Sequence, residues 1–142
     1  RQTMFAEFEY KAHSMLENGE PLTVDAIRNM YRKLLEKYFG PAMKFETVSD
    51  LECLRIPHFY GAFYVYKYST GISASIALAK KVMSGEPGAK ENYFKFLSSG
   101  GSRFPIEALK VAGVDMTTSA PIQAACDEFT RLIDQFKQNM KM

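Results

Sequence analysis

Between Arg55 and Ser84 the sequence reads RIPHFYGAFYVYKYSTGISASIALAKKVMS. His58 follows Pro57, and Tyr60, Tyr64, Tyr66 and Tyr68 come within the next ten residues. Imidazole N–H and phenol O–H groups donate hydrogen bonds, so a cluster of them is a way to hold a polar substrate group. Pro57 fixes its own φ and so limits how the imidazole beside it approaches. Gly61 in Tyr60-Gly61-Ala62 offers a place where a peptide backbone can come close, or serves an ordinary turn. The plainer reading of the rings is a core histidine satisfied by hydrogen bonds and tyrosines used for packing. Tyr64 and Tyr68 stand one helical turn apart with Tyr60 a turn earlier, while Tyr66 points elsewhere, so the rings do not all serve one purpose.

What must position these rings is a set of helices. Beyond them Gly71, Ala74, Ser75 and Ala79 recur at helical spacing, so we expect one helix with polar rings in its opening turns and close packing in its later ones. Phe63, Ile72, Ile76, Leu78 and Val82 are expected in the core, and Lys80 and Lys81 on a solvated face. Upstream, Phe5, Phe8, Ala12, Met15 and Leu16 mark one buried helical face from Thr3 to Asn18, ended by Asn18-Gly19. Pro21 and Thr23 open a second helix, with Asp25 in its first turn, an apolar stripe of Ile27, Met30, Tyr31, Leu34, Leu35 and Tyr38, and a stop at Gly40-Pro41. Ser49-Asp50-Leu51-Glu52 reads as a short helical turn. Downstream come a short helix from Ala89 to Leu97 with Tyr93, Phe94 and Leu97 inward, a helix from Pro105 to Ala112, and a long amphipathic helix after Thr117-Thr118-Ser119 and Pro121. The absence of strand alternation and of repeats makes the chain all-α, with about six helices in one compact domain.

Composition narrows the function classes. The chain has 142 residues, 46% hydrophobic and 24% charged, which is globular rather than disordered. A net charge of +2, with lysines scattered among carboxylates, argues against nucleic acid. No apolar run is long enough to span a bilayer and the N-terminus lacks a signal-peptide layout, so we expect no membrane partner and a cytoplasmic location. Cys53 and Cys126 form no CxxC pair and are expected as two buried reduced thiols. There is no P-loop, no dinucleotide-binding glycine pattern and no HExxH. His13 and Glu17, at i, i+4, share a helix face, but two ligands do not hold zinc and the pair reads as a surface contact. The expected metal ligands in this chain are therefore none.

The segments FAEFE, IPHFYGAFYVYKYSTGISASIALA and KFLSSGGSRFPIEALKVAGVDMTT, in that order, resemble the C-terminal part of oligoendopeptidase F, in the zinc metallopeptidase family of thimet oligopeptidase. The likeness runs from Arg1 to the final helix. It implies a mostly helical peptidase with a deep channel that cleaves short peptides. It also implies a zinc held by the two histidines of HExxH and a later glutamate, with the motif glutamate as general base, all upstream of Arg1. By the same resemblance this segment faces the metal across the channel and supplies donors to the oxyanion of the tetrahedral intermediate. Loss of one such donor costs on the order of 10²- to 10³-fold in rate. The resemblance assigns that role to His58 and Tyr66, with Tyr64 next, and Tyr60 and Gly61 as substrate-binding.

Two expectations follow. In the first, residues 1–142 are the C-terminal helical portion of a zinc oligoendopeptidase. They pack against an upstream part of the same polypeptide, are inactive alone, and are prone to self-associate through apolar surface that the upstream part would cover. In the second, the chain is a stand-alone helical module that binds a peptide or a partner helix with its tyrosine-rich face. The opening at Arg1, already inside a helical pattern, favours the first.

Overall fold

The computed structural model describes residues 1–140, and among them every regular element is a helix. The chain divides into two units, residues 1–69 and residues from 70 onward.

In the first unit, α1 (Gln2–Glu17) and α2 (Val24–Phe39) form a helical hairpin. The Thr23 hydroxyl accepts the Ala26 N–H at 3.2 Å, which satisfies one of the orphan donors at the start of α2. Gly40 closes that helix at φ +73°, a conformation that a Cβ would disfavour. Met4, Phe5 and Phe8 of α1 share a core with Tyr31, Leu34 and Leu35 of α2, completed by Cys53 and Val65. Each large apolar side chain buried there contributes about 1.5–3 kcal/mol.

The segment after α2 is tied down by buried charge. A 3₁₀ turn, Ser49–Leu51, leads into the four-residue α3 (Glu52–Arg55). Arg28 grips the buried Asp50 carboxylate with two N–H···O bonds of 3.2 Å. The Tyr31 hydroxyl donates to Glu52 at 2.6 Å, and Glu52 also pairs with Arg1 and Arg55. Burial, first, and the neighbouring Asp50 push the Cys53 thiol up to about 11, so this cysteine stays protonated. These ties deliver the chain to a second 3₁₀ turn, Pro57–Tyr60.

Helix α4 (Tyr66–Met83) begins in the first unit and continues into the second. The second unit adds α5 (Ala89–Ser98), α6 (Pro105–Val111) and α7 (Ala120–Asn139). Its buried core is small: Ala74 and Leu78 of α4 with Ala112 and Val114, flanked by Tyr93, Phe96, Leu109 and Met116. Along α7, Ile122, Phe129, Leu132, Ile133 and Phe136 all stand exposed, as does Met140 at its C-cap.

The all-α class is as the periodicity implies, with seven α-helices among the described residues where about six were expected. Several local expectations are corrected. The helix expected to carry the polar rings in its opening turns is broken: residues 61–65 form a loop, because Phe63 takes φ +56° and no α-helix passes through that conformation. Cys126 is exposed on α7, and only Cys53 is buried. Phe63 and Ile72 are surface residues, and on α5 Phe96 packs inward while Phe94 and Leu97 face out. Leu16 likewise lies on the outer side of α1. Lys80 is anchored, not merely solvated, donating to the Ala124 carbonyl at 3.1 Å and pairing with Glu128 at 3.4 Å.

Candidate active site

The proline at Pro57 starts a turn whose neighbouring side chains go opposite ways. Phe59 inserts into the core, its ring centroid 5.4 Å from that of Phe5 and 5.0 Å from that of Phe8. His58, one residue earlier, is exposed. Its imidazole stacks on Tyr64 at 5.4 Å between ring centroids, inclined by 27°, and meets Tyr68 edge-on at 6.3 Å. Tyr64 and Tyr68 meet each other at 5.7 Å. The partly buried Phe59 thus anchors the turn from which His58 projects.

The electrostatics bear on one of these rings. A hydrogen bond with the Tyr64 side chain, and burial secondarily, hold the Tyr68 phenol above its ordinary range, so it stays protonated through neutral pH. The Lys67 ammonium sits 5.0 Å from the Tyr64 ring centroid, a cation–π contact. Tyr64, Tyr66 and Tyr68 are each about half exposed, at 45%, 47% and 45%. Rings this exposed are not core packing residues.

The loop that carries Tyr64 back over His58 turns at Phe63. A non-glycine residue in the left-handed region costs roughly 1–3 kcal/mol and persists only where its surroundings impose it. Two groups on α1 do so. The Phe63 N–H donates to the Glu9 carboxylate, which is buried, and the Phe63 ring lies 4.5 Å from that of His13. His13 therefore packs on an aromatic ring.

Of the residues singled out from the sequence, His58 and Tyr64 come together. Tyr66 is the first residue of α4 and exposed. The Tyr60 hydroxyl donates to the Leu54 carbonyl at 2.8 Å, while its ring is 80% exposed, which leaves the ring face as its means of contact. Gly61 has an ordinary negative φ, and a Cβ there would make an ordinary van der Waals contact with the His58 carbonyl oxygen at 4.0 Å, so the position does not demand glycine. Tyr68 and Glu9 join the site without having been assigned to it. The i, i+4 spacing of Tyr64 and Tyr68 was the available signal for one; for the other it was a carboxylate one turn after Phe5, within the apolar stripe of α1.

A cavity of about 440 Å³ lies elsewhere in the first unit, lined by residues including Leu35, Phe39, Phe45, Glu52 and Arg55 and bordered by none of the clustered rings. Among the described residues, no three of His, Cys, Asp and Glu gather closely enough to hold a metal ion. The described side chains therefore do not fit a zinc site. What the cluster offers is a set of N–H and O–H donors on an open face.

Comparison with known proteins places this geometry in a wider context. The chain is 47% identical over 138 residues to an oligoendopeptidase F homolog of Borreliella burgdorferi, covering 97% of this chain and 23% of that protein. It is 46% identical to the oligopeptidase PepF of Bacillus subtilis, covering 97% of this chain and 21% of the relative. The crystal structure of oligoendopeptidase-F from Enterococcus faecium superposes with a TM-score of 0.96 at 45% identity, over 99% of this chain and 27% of that one. The chain thus spans about a fifth to a quarter of the length of these relatives. The Peptidase family M3 profile matches residues 1–128, taking in α1, the ring cluster and the first turns of α7, and the chain belongs to that family.

Proposed function

We propose that this chain is the C-terminal helical portion of a zinc-dependent oligoendopeptidase that hydrolyses short peptides. His58, Tyr64 and Tyr66 serve as catalytic donors to the oxyanion, and the Tyr60 ring and the Gly61 backbone receive the substrate. The observation that carries this reading is the exposed stack of His58 on Tyr64, in a chain belonging to a peptidase family. As a peptide carbonyl is attacked, its oxygen gains charge, and a preorganised N–H or O–H pointed at that oxygen binds it more tightly than the ground state. The metal would be held by residues outside this chain. The apolar stripe on α7 would then pack against other parts of the same polypeptide, and an isolated chain would self-associate through it. Both cysteines are free, in keeping with the reducing cytoplasm.

The test is made in the full-length polypeptide. His58→Ala or Tyr66→Phe is expected to lower kcat by about 10²- to 10³-fold with zinc content unchanged. Unchanged turnover in both variants would overturn the donor roles. The chain alone is expected neither to retain stoichiometric zinc nor to cleave peptides, and zinc-dependent turnover by the pure chain would overturn the fragment reading.

A further inference from the structure

Glu9 does nothing that a stability argument asks of it. It sits in the buried face of α1, 4% exposed, and among the described residues it takes part in no ion pair. Glu7 on the same helix shows the alternative, an accessible carboxylate spread over Lys11, Lys37 and Tyr38. Burying a carboxylate is costly unless strong hydrogen bonds compensate it. The bond that Glu9 makes goes to the N–H of Phe63, in a loop 54 residues away in sequence.

That N–H belongs to the residue with φ +56°, and the next residue is Tyr64. In the left-handed region the chain reverses, and here the reversal sets the Tyr64 ring on His58. Without an acceptor for that N–H, a residue with a Cβ relaxes towards negative φ, and the direction in which Tyr64 leaves the loop changes with it. His13, one turn along α1 from Glu9, holds the Phe63 ring, so backbone and side chain are gripped from one helix face. We infer that Glu9 is a positioning residue, whose buried carboxylate fixes the Phe63 turn and thereby the placement of Tyr64 against His58. This inference rests on the donor roles of His58 and Tyr64 proposed above.

The experiment compares Glu9→Ala, Glu9→Asp and Glu9→Gln in the full-length peptidase, with Glu7→Ala as a control on the same helix. Two quantities are read: kcat and KM on a short peptide, and the NMR signal of the ¹³C-labelled His58 imidazole, identified by its disappearance in His58→Asn. Stacking on Tyr64 displaces that signal by ring current, so it reports their contact directly. Glu9→Ala is expected to lower kcat by about tenfold to a hundredfold with KM within about twofold, as a misplacement near 1 Å does, and to move the imidazole signal. Glu9→Asp, whose shorter arm withdraws the carboxylate, moves both in the same direction by less, and decides the question if the alanine variant does not fold. Glu9→Gln retains an acceptor oxygen and keeps both near wild type, and Glu7→Ala leaves both unchanged.

Unchanged kcat and signal in the alanine and aspartate variants overturn the inference. So does a moved signal with unchanged kcat when His58→Ala is itself impaired. If instead His58→Ala and Tyr64→Phe leave kcat intact while Glu9→Ala still moves the signal, it is the donor reading that fails.

Discussion

Two clusters of aromatic rings meet at one short turn in the first unit, and they are built on opposite principles. The buried Phe5, Phe8 and Tyr31 pack with the partly buried Phe59 at 5.0–6.3 Å, joining α1, α2 and the Pro57–Tyr60 turn. His58, Tyr64 and Tyr68 pack at similar distances, 5.4–6.3 Å, in the open. The first cluster removes apolar area from water, which stabilises the fold. The second leaves polar rings half solvated, where their burial contributes little. His58 and Phe59 are adjacent, so the 3₁₀ turn divides them between the two tasks. The ring packed against the core holds the turn, and the turn aims the exposed one.

The comparison is broken most sharply by truncating one ring in each cluster. Phe8→Ala removes a ring 5% exposed that touches both Tyr31 and Phe59, and is expected to cost about 3–5 kcal/mol of unfolding free energy. Tyr68→Phe removes a half-exposed hydroxyl with its hydrogen bond to Tyr64 and should change unfolding by only about 1 kcal/mol. Urea unfolding of the two variants checks both. A Tyr68→Phe loss comparable to that of Phe8→Ala would mean that the exposed cluster is part of the core after all.

How much of this was legible beforehand differs between the clusters for a physical reason. The buried one follows from periodicity: Phe5, Phe8, Tyr31, Leu34 and Leu35 fall on helical stripes, and a stripe reports burial directly. The α1–α2 hairpin, its Thr23 cap and its Gly19 and Gly40 stops could be read in the same way. The exposed cluster depends on a turn that no local pattern signals. Phe63 is neither glycine nor asparagine, the residues that ordinarily mark a left-handed position, so the sequence reads as helix through it. The conformation is imposed by Glu9 and His13 of α1, and a contact spanning 54 residues leaves no periodicity. Phe94, Leu97 and the apolar stripe of α7 mislead in the opposite sense. Their spacing correctly marks an apolar helix face, yet among the described residues that face is exposed.

A smaller effect sharpens the comparison at the rim of the buried cluster. Glu7 of α1 is bound by Lys11, and by Lys37 and Tyr38 of α2, and these hydrogen bonds lower its carboxyl to about 2 from an ordinary 4.5. A group whose pKa is depressed in the folded state stabilises that state above its unfolded pKa. The contribution is lost as pH falls through the folded value. The hairpin should therefore keep this contribution above about pH 4.5 and lose it progressively towards about pH 2. Because Lys11 and Lys37 are about half exposed, solvent screening holds the effect to about 1 kcal/mol or less. Urea unfolding of wild type and Glu7→Gln at pH 6, 4 and 2.5 should show a stability difference that shrinks with acid. The His58–Tyr64 stack, which does not depend on this carboxylate, should give the same imidazole signal in both proteins at pH 6. A difference that grows with acid, or a signal displaced by Glu7→Gln, would tie the two clusters together electrostatically and end the separation between them.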